Sequence, residues 1–143
     1  MLINHRPLKV EWGQCHPANI VFYPQYLVWF DGCTQALLER LGQPMLAMFR
    51  RSGIVGTPLV DVTARFLIPS GCGDELTALS GVSEWGRTSF TVRHQFLKEG
   101  QLAVEGFEKR VWAAPHPEQP GRIKGHPIPD EVRAKLSQHD PAA

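Results

Sequence analysis

Cysteine is scarce: Cys15, Cys33 and Cys72 are the only three, and no two of them form a C-x-x-C pair. Any disulfide scheme leaves one over, so a disulfide framework is excluded, reduced thiols are expected, and a structural zinc site has no ligand set. The six histidines are scattered, and no metal is expected. Charge of one sign is also missing. A net charge of +1 creates no overall field that would recruit nucleic acid or an anionic membrane. No apolar run is long enough to cross a bilayer, the most apolar window being "IVFYPQYLVWF", and "MLINHRPLKV" lacks the apolar stretch of a secretory signal. A cytoplasmic location is expected. No internal repeat or low-complexity tract occurs, and "GCG" at 71–73 lacks the third glycine and following helix of a dinucleotide loop.

What is present is an ordinary globular composition, 43% hydrophobic and 20% charged over 143 residues, enough for one domain spanning 1–143 with a single core. "HRPLKVEW" (5–12) reads as a first strand ending at Gly13. From Pro24 to Gly42 the period changes: Tyr26, Phe30, Cys33, Leu37 and Leu41 recur at three or four residues. Pro24 suits the first turn of that helix and Gly42 the position just past its end. Leu27, Trp29 and Leu38 make the flanks apolar too, so other structure must wrap this helix.

Strands follow. "LVDVTARFLI" alternates Leu59, Asp61, Thr63 and Arg65 against Val60, Val62, Ala64 and Phe66, which predicts a half-buried strand. "PSGCGD" is a turn, and "ELTALSGVSEW", "TSFTVRHQFLK" and "QLAVEGFEKRVWAA" are three more strands, the last two joined at Lys98-Glu99-Gly100-Gln101. Phe90, Val92, His94 and Phe96 share one face. The tail 113–129, rich in proline and glycine, reads as loop, and "DEVRAKL" as a closing helix with Asp130 as N-cap. The order predicts an α+β fold, one antiparallel sheet of about five strands burying a long central helix. Its exposed edges call for at least a dimer.

The chemistry concentrates before the long helix. The backbone N–H groups near Phe22 and Tyr23 are helix-start donors without intrahelical partners, suited to polarising a carbonyl and holding a developing oxyanion. His16 stands just upstream as a base or nucleophile, or else as a hydrogen-bonded turn residue.

These residues carry a resemblance. "WGQCHPANIVFYPQYLVWFD" is similar to the signature of the 4-hydroxybenzoyl-CoA thioesterases, hotdog-fold enzymes with the pattern W/F-G-D-C-D-P-A-G-I-V-Y-P-N-Y before an aromatic-rich helix. "GIVGTP" at 53–58, "EWGRTSF" at 84–90 with "RH" at 93–94, and "GRIKGHPIP" at 121–129 agree in order. The resemblance implies hydrolysis of an acyl-CoA thioester, an aromatic acyl group being favoured and a short-chain one remaining open. It implies a homodimer or dimer of dimers, hence a homotetramer, with each site built across a subunit interface. No cofactor is implied, because the CoA moiety belongs to the substrate.

In that family the second acidic residue of G-D-C-D-P supplies the essential carboxylate, and the matching position here is His16. Three alternatives follow. His16 acts as general base, an imidazole being partly neutral near neutral pH; or another carboxylate takes over, Asp61, Asp31 or Glu39; or hydrolysis is lost and the domain only binds an acyl-CoA or acyl-carrier protein. The resemblance further gives the Tyr23 N–H to the thioester carbonyl, Thr57 to the vicinity of the reacting group, and Arg87, Ser89, Arg122 and Lys124 to CoA. Gly86 and Thr88 stand where relatives carry further cations. Phe22, Trp29 and Phe49 are candidates for the acyl wall, against the alternative of ordinary core packing.

Overall fold

The structure, a computed structural model, describes residues 1–139. Five strands form one antiparallel sheet: β1 (Asn4–Lys9), β4 (Leu59–Phe66), β5 (Glu75–Trp85), β6 (Ser89–Lys98) and β7 (Gln101–Val111), in the order β1-β5-β6-β7-β4. Cys15–His16 (β2) and Ile20–Val21 (β3) make a small hairpin. The long helix α1 (Pro24–Leu38) lies across one face of the sheet, where Phe30, Cys33 and Leu37 meet the inward row Phe90, Val92 and Phe96 of β6. Each of these side chains is almost wholly buried. The expected α+β arrangement, a sheet wrapped around one helix, is what forms.

Close approach of helix and sheet depends on Gly106. A Cβ there would collide with the Phe30 ring, and that ring stacks on His94 with centroids 4.7 Å apart. Burial of the Phe30 ring contributes roughly 2 kcal/mol. The β6–β7 hairpin closes as the sequence predicts, Glu99 and Gly100 both adopting positive φ as a primed two-residue turn demands.

Several boundaries differ from the sequence reading. β1 stops at Lys9, and a 3-10 turn at Trp12–Gln14 replaces its expected extension. α1 ends at Leu38 and tightens into a 3-10 turn, Glu39–Leu41, before Gly42 closes it with φ 97°. A further helix, α2 (Met45–Ser52), buries Met48 and Phe49; at eight residues it is too short for its periodicity to stand out. The third expected strand breaks at Trp112, whose N–H donates to Thr88 O. Beyond it, β8 (Ala113–Pro115) pairs with β9 (Ile123–Gly125) inside the expected loop. α3 (Asp130–Ser137) is capped by Pro129, with Asp130 in its first turn.

β4 is the largest departure in packing. It is an edge strand, so Val62 and Ala64 are half-buried while Leu59, Val60 and Phe66 remain exposed. Alternation fixes which side chains share a face; only a covering layer buries them.

Candidate active site

The β2–β3 hairpin delivers the chain to the start of α1. Cys15 pairs with Val21 and His16 with Ile20, and the Phe22 N–H donates to Gln14 O at 3.0 Å. Asn19, with φ 58°, turns the loop and receives the Cys72 N–H on its Oδ1 at 3.0 Å; the Val21 N–H donates to Ser70 O. The hairpin is thereby fixed to the turn that precedes β5. At the helix start Gln25 and Tyr26 bond back to Phe22 O and Tyr23 O, and Pro24 has no N–H. The Tyr23 N–H has no acceptor among the described residues, and its side chain is exposed. One amide is therefore left without a partner at the positive end of a 15-residue helix.

His16 is exposed, and its Nδ1 accepts the Ala18 N–H at 3.2 Å. That bond makes Nδ1 the unprotonated nitrogen of the neutral ring and Nε2 the donor. Cys15, beside it, is no nucleophile in waiting: burial, with Cys72 and Asp74 nearby, pushes its thiol up, away from the reactive thiolate.

From the free amide an exposed row runs down α1 at four-residue spacing, Tyr23, Leu27, Asp31 and Gln35, with Val28 alongside. Asp31 lies two turns on, about 12 Å along the axis. There the row enters a groove of about 370 Å³ between α1, α2 and the 55–58 loop, whose walls include Asp31, Thr34, Phe49, Thr57, Arg110 and Ile123. The space suits a single ring system.

Beneath the groove lies a buried polar network. Arg110 donates from Nη2 to Glu108 Oε2 at 2.6 Å and to Asp31 Oδ1 at 2.8 Å, from Nε to Glu108 Oε1 at 3.3 Å, and from Nη1 to the Thr57 carbonyl at 3.0 Å. Glu108 also accepts from the Thr34 hydroxyl and from His94 Nε2 at 3.0 Å, and His94 Nδ1 meets the Ser80 hydroxyl at 2.7 Å. Burial pushes the Glu108 carboxyl up, but hydrogen bonds from His94, Arg110 and Thr34, with the Arg110 charge, outweigh it and bring it down to about 2. Burial pulls the Arg110 guanidinium down, and Glu108 and Asp31 more than reverse that, so the guanidinium stays charged. Ser80, His94 and Glu108 are enclosed, so this serine-histidine-carboxylate row has no access to substrate and serves as scaffold.

Most of the residues singled out in the sequence gather in three places, the hairpin and helix start, the groove, and a basic edge. His16 and Tyr23 lie along the hairpin and helix start, and Thr57 and Phe49 line the groove. Arg87 sits in the β5–β6 turn, where its carbonyl accepts the Ile128 N–H, while Trp112 bridges Thr88 O and the His126 N–H. Those bonds lay β9 along the turn, so Arg87, Arg122 and Lys124, all exposed, share one edge with the half-buried Ser89. The Arg87 turn and the His16 hairpin lie at opposite ends of the 11-residue β5, on the order of 30 Å apart, whereas Arg122 and Lys124 flank Ile123 on the groove wall. Asp61 joins none of these: it is exposed on β4 opposite Lys109. Trp29 belongs to the core, edge-on to Tyr26 and Phe96, and Glu39 is exposed against Gln35. Phe22 is exposed near the free amide.

Glu108 and Arg110 are not among the residues that stand out in the sequence. Their signal was there: the β7 register that turns Val104 and Gly106 inward also turns Glu108 and Arg110 inward, and charges on a core face require partners.

Comparison with known proteins fits this geometry. The thioesterase-like superfamily matches residues 10–136. The chain is 34% identical over 111 residues to the 4-hydroxybenzoyl-CoA thioesterase of Pseudomonas sp. (strain CBS-3), covering 73% of this chain and 79% of that protein. It is 29% identical over 109 residues to the 1,4-dihydroxy-2-naphthoyl-CoA hydrolase of Synechococcus sp. (strain WH7803), covering 72% and 71%. A crystal structure of a 4-hydroxybenzoyl CoA thioesterase mutant complexed with 4-hydroxybenzoyl CoA superposes with a TM-score of 0.85 at 30% identity, covering 94% of this chain and 99% of that one. The helix-wrapping sheet, the open amide at its helix start and these matches make the chain a member of the thioesterase-like superfamily, with the hotdog fold of the 4-hydroxybenzoyl-CoA thioesterases.

Proposed function

We propose that the protein hydrolyses the thioester of an aromatic acyl-CoA whose ring carries a hydroxyl group, releasing the free acid and CoA. One observation carries this reading: the Tyr23 amide is left without a partner at the start of the helix that, two turns on, places a carboxylate, Asp31, on the wall of a ring-sized groove. The amide polarises the carbonyl and holds the oxyanion as it forms. Asp31 accepts a ring hydroxyl at the far end, a class of acyl group present in the substrates for which both relatives are named.

His16 serves as the base. The Ala18 N–H bond to its Nδ1 is long and exposed, worth about 1 kcal/mol net, so exchanging it for a water is inexpensive. The water attacks the carbonyl carbon, its proton passes to the imidazole, and the C–S bond breaks to release the thiolate. Because the turn that carries Arg87 and Ser89 lies at the far end of β5 from the hairpin of its own protomer, these two residues, with Arg122 and Lys124, hold the CoA of a partner's site in a dimer or dimer of dimers. Three free cysteines suit a reducing cytoplasm.

A thiol-release assay over 4-hydroxybenzoyl-CoA, benzoyl-CoA and acetyl-CoA tests this, with the hydroxylated ring expected to give the highest kcat/KM. No thiol release from any of them, with binding retained, would establish a CoA-ester binding module instead. That second reading draws on the imidazole at position 16 where the family pattern has an acid, and the substitution His16→Asp would then restore turnover.

A further inference from the structure

The Glu108–Arg110 cluster takes no part in the chemistry just described, yet its outermost bonds reach the acyl groove. We infer that Arg110 is the positioning residue that sets acyl selectivity, by holding the two walls of the groove at a fixed separation before substrate arrives. The inference rests on the groove being the acyl site.

The guanidinium is a rigid fork, and here three elements share it. It belongs to β7, donates to the Asp31 carboxylate of α1, and donates to the Thr57 carbonyl in the loop opposite. Its own rotamer is fixed from behind by two bonds to Glu108. Glu108 is fixed in turn by Thr34 and His94, and His94 by Ser80 and the stacked Phe30 ring. Asp31 is the one carboxylate in this chain of contacts that solvent reaches, its side chain 71% exposed against 9% for Arg110. An exposed carboxylate normally samples several rotamers. Anchoring it to a buried cation leaves one, which reduces the ordering cost of binding a ring against it. Lysine, a single point donor on a flexible stem, cannot make the same set of bonds.

The measurement is the selectivity ratio, kcat/KM for 4-hydroxybenzoyl-CoA divided by kcat/KM for acetyl-CoA, in wild type and Arg110→Lys. A purely structural lesion lowers the active fraction for both substrates alike and leaves the ratio unchanged. Positioning predicts that the ratio falls about tenfold, chiefly through KM for the aromatic ester, while a ratio within about twofold of wild type in folded variant overturns the inference. Should Arg110→Lys not fold, Glu108→Gln/Arg110→Met replaces it. That pair removes both charges together while the introduced amide keeps partners for His94 and Thr34, and the same two outcomes apply. A wild type inactive on the aromatic ester would instead refute the proposed function, and it is read before any variant is made.

Discussion

Arg110 Nη2 lies 2.6 Å from Glu108 Oε2 and 2.8 Å from Asp31 Oδ1, so one nitrogen joins a carboxylate in the core to a carboxylate on the groove wall. Burying Glu108 alone would be prohibitive. With Arg110, His94 and Thr34 as partners it stays ionised, and the cluster ties β6, β7 and α1 to the groove.

Stability should fall in acid. The Glu108 carboxyl is held at about 2, below its ordinary 4.5. The stabilisation is therefore complete above 4.5 and is lost as pH falls from there towards 2. Its size is on the order of 3 kcal/mol, from the linkage of proton binding to folding. Thermal melts between about pH 6 and pH 2 check it, read against Glu108→Gln: the wild-type loss should be steeper. Parallel curves would mean that Glu108 does not report on folding. Asp74 adds to the same trend, because hydrogen bonds from Lys98 and the Gly71 N–H keep its carboxyl low.

His16→Ala should fold normally, since the side chain is exposed and bonded only to its own loop. Its kcat should fall roughly 10²- to 10⁴-fold, the range for losing a general base. Added imidazole should return part of the rate if the ring moves a proton. A variant with undiminished kcat would assign that role elsewhere.

Gly106→Ala tests how tightly the helix sits on the sheet. The new methyl would run into the Phe30 ring, so chemical denaturation should show a loss of about 1–3 kcal/mol, as overpacked cores do. Shrinking the neighbour in Phe30→Leu/Gly106→Ala should give a smaller loss than the two single losses added. Strict additivity would mean that the two sites do not touch.

Arg87→Ala should weaken CoA-ester binding and spare the chemical step. An exposed phosphate contact is worth about 1 kcal/mol, so KM should rise roughly fivefold at low salt, with the effect shrinking as salt is added. A substrate ending in N-acetylcysteamine, which has no phosphates, should respond equally to variant and wild type. A KM rise on that truncated ester would place Arg87 nearer the acyl group than the geometry indicates.

Local chemistry made much of this protein legible from its residues. Pro24, the three-and-four spacing from Tyr26 to Leu37, and Gly42 mark a helix because capping and periodicity act within a few residues. The inward row Phe90, Val92, His94 and Phe96 is visible because a strand alternates its faces. The open amide at Tyr23 follows from the helix start and from proline next to it. Tertiary structure decided the rest, since each remaining feature depends on a partner distant in the chain. Ala113–Pro115 becomes a strand only because Ile123–Gly125 returns beside it. Val60 and Phe66 stay exposed on the edge strand β4 because alternation along a strand does not supply the layer that would cover them. Glu108 and Arg110 look like ordinary surface charges until the sheet register turns them inward and α1 supplies Thr34 and Asp31 to meet them. Residue chemistry limits what each side chain can bond to, and packing selects which of those bonds form where water cannot replace them.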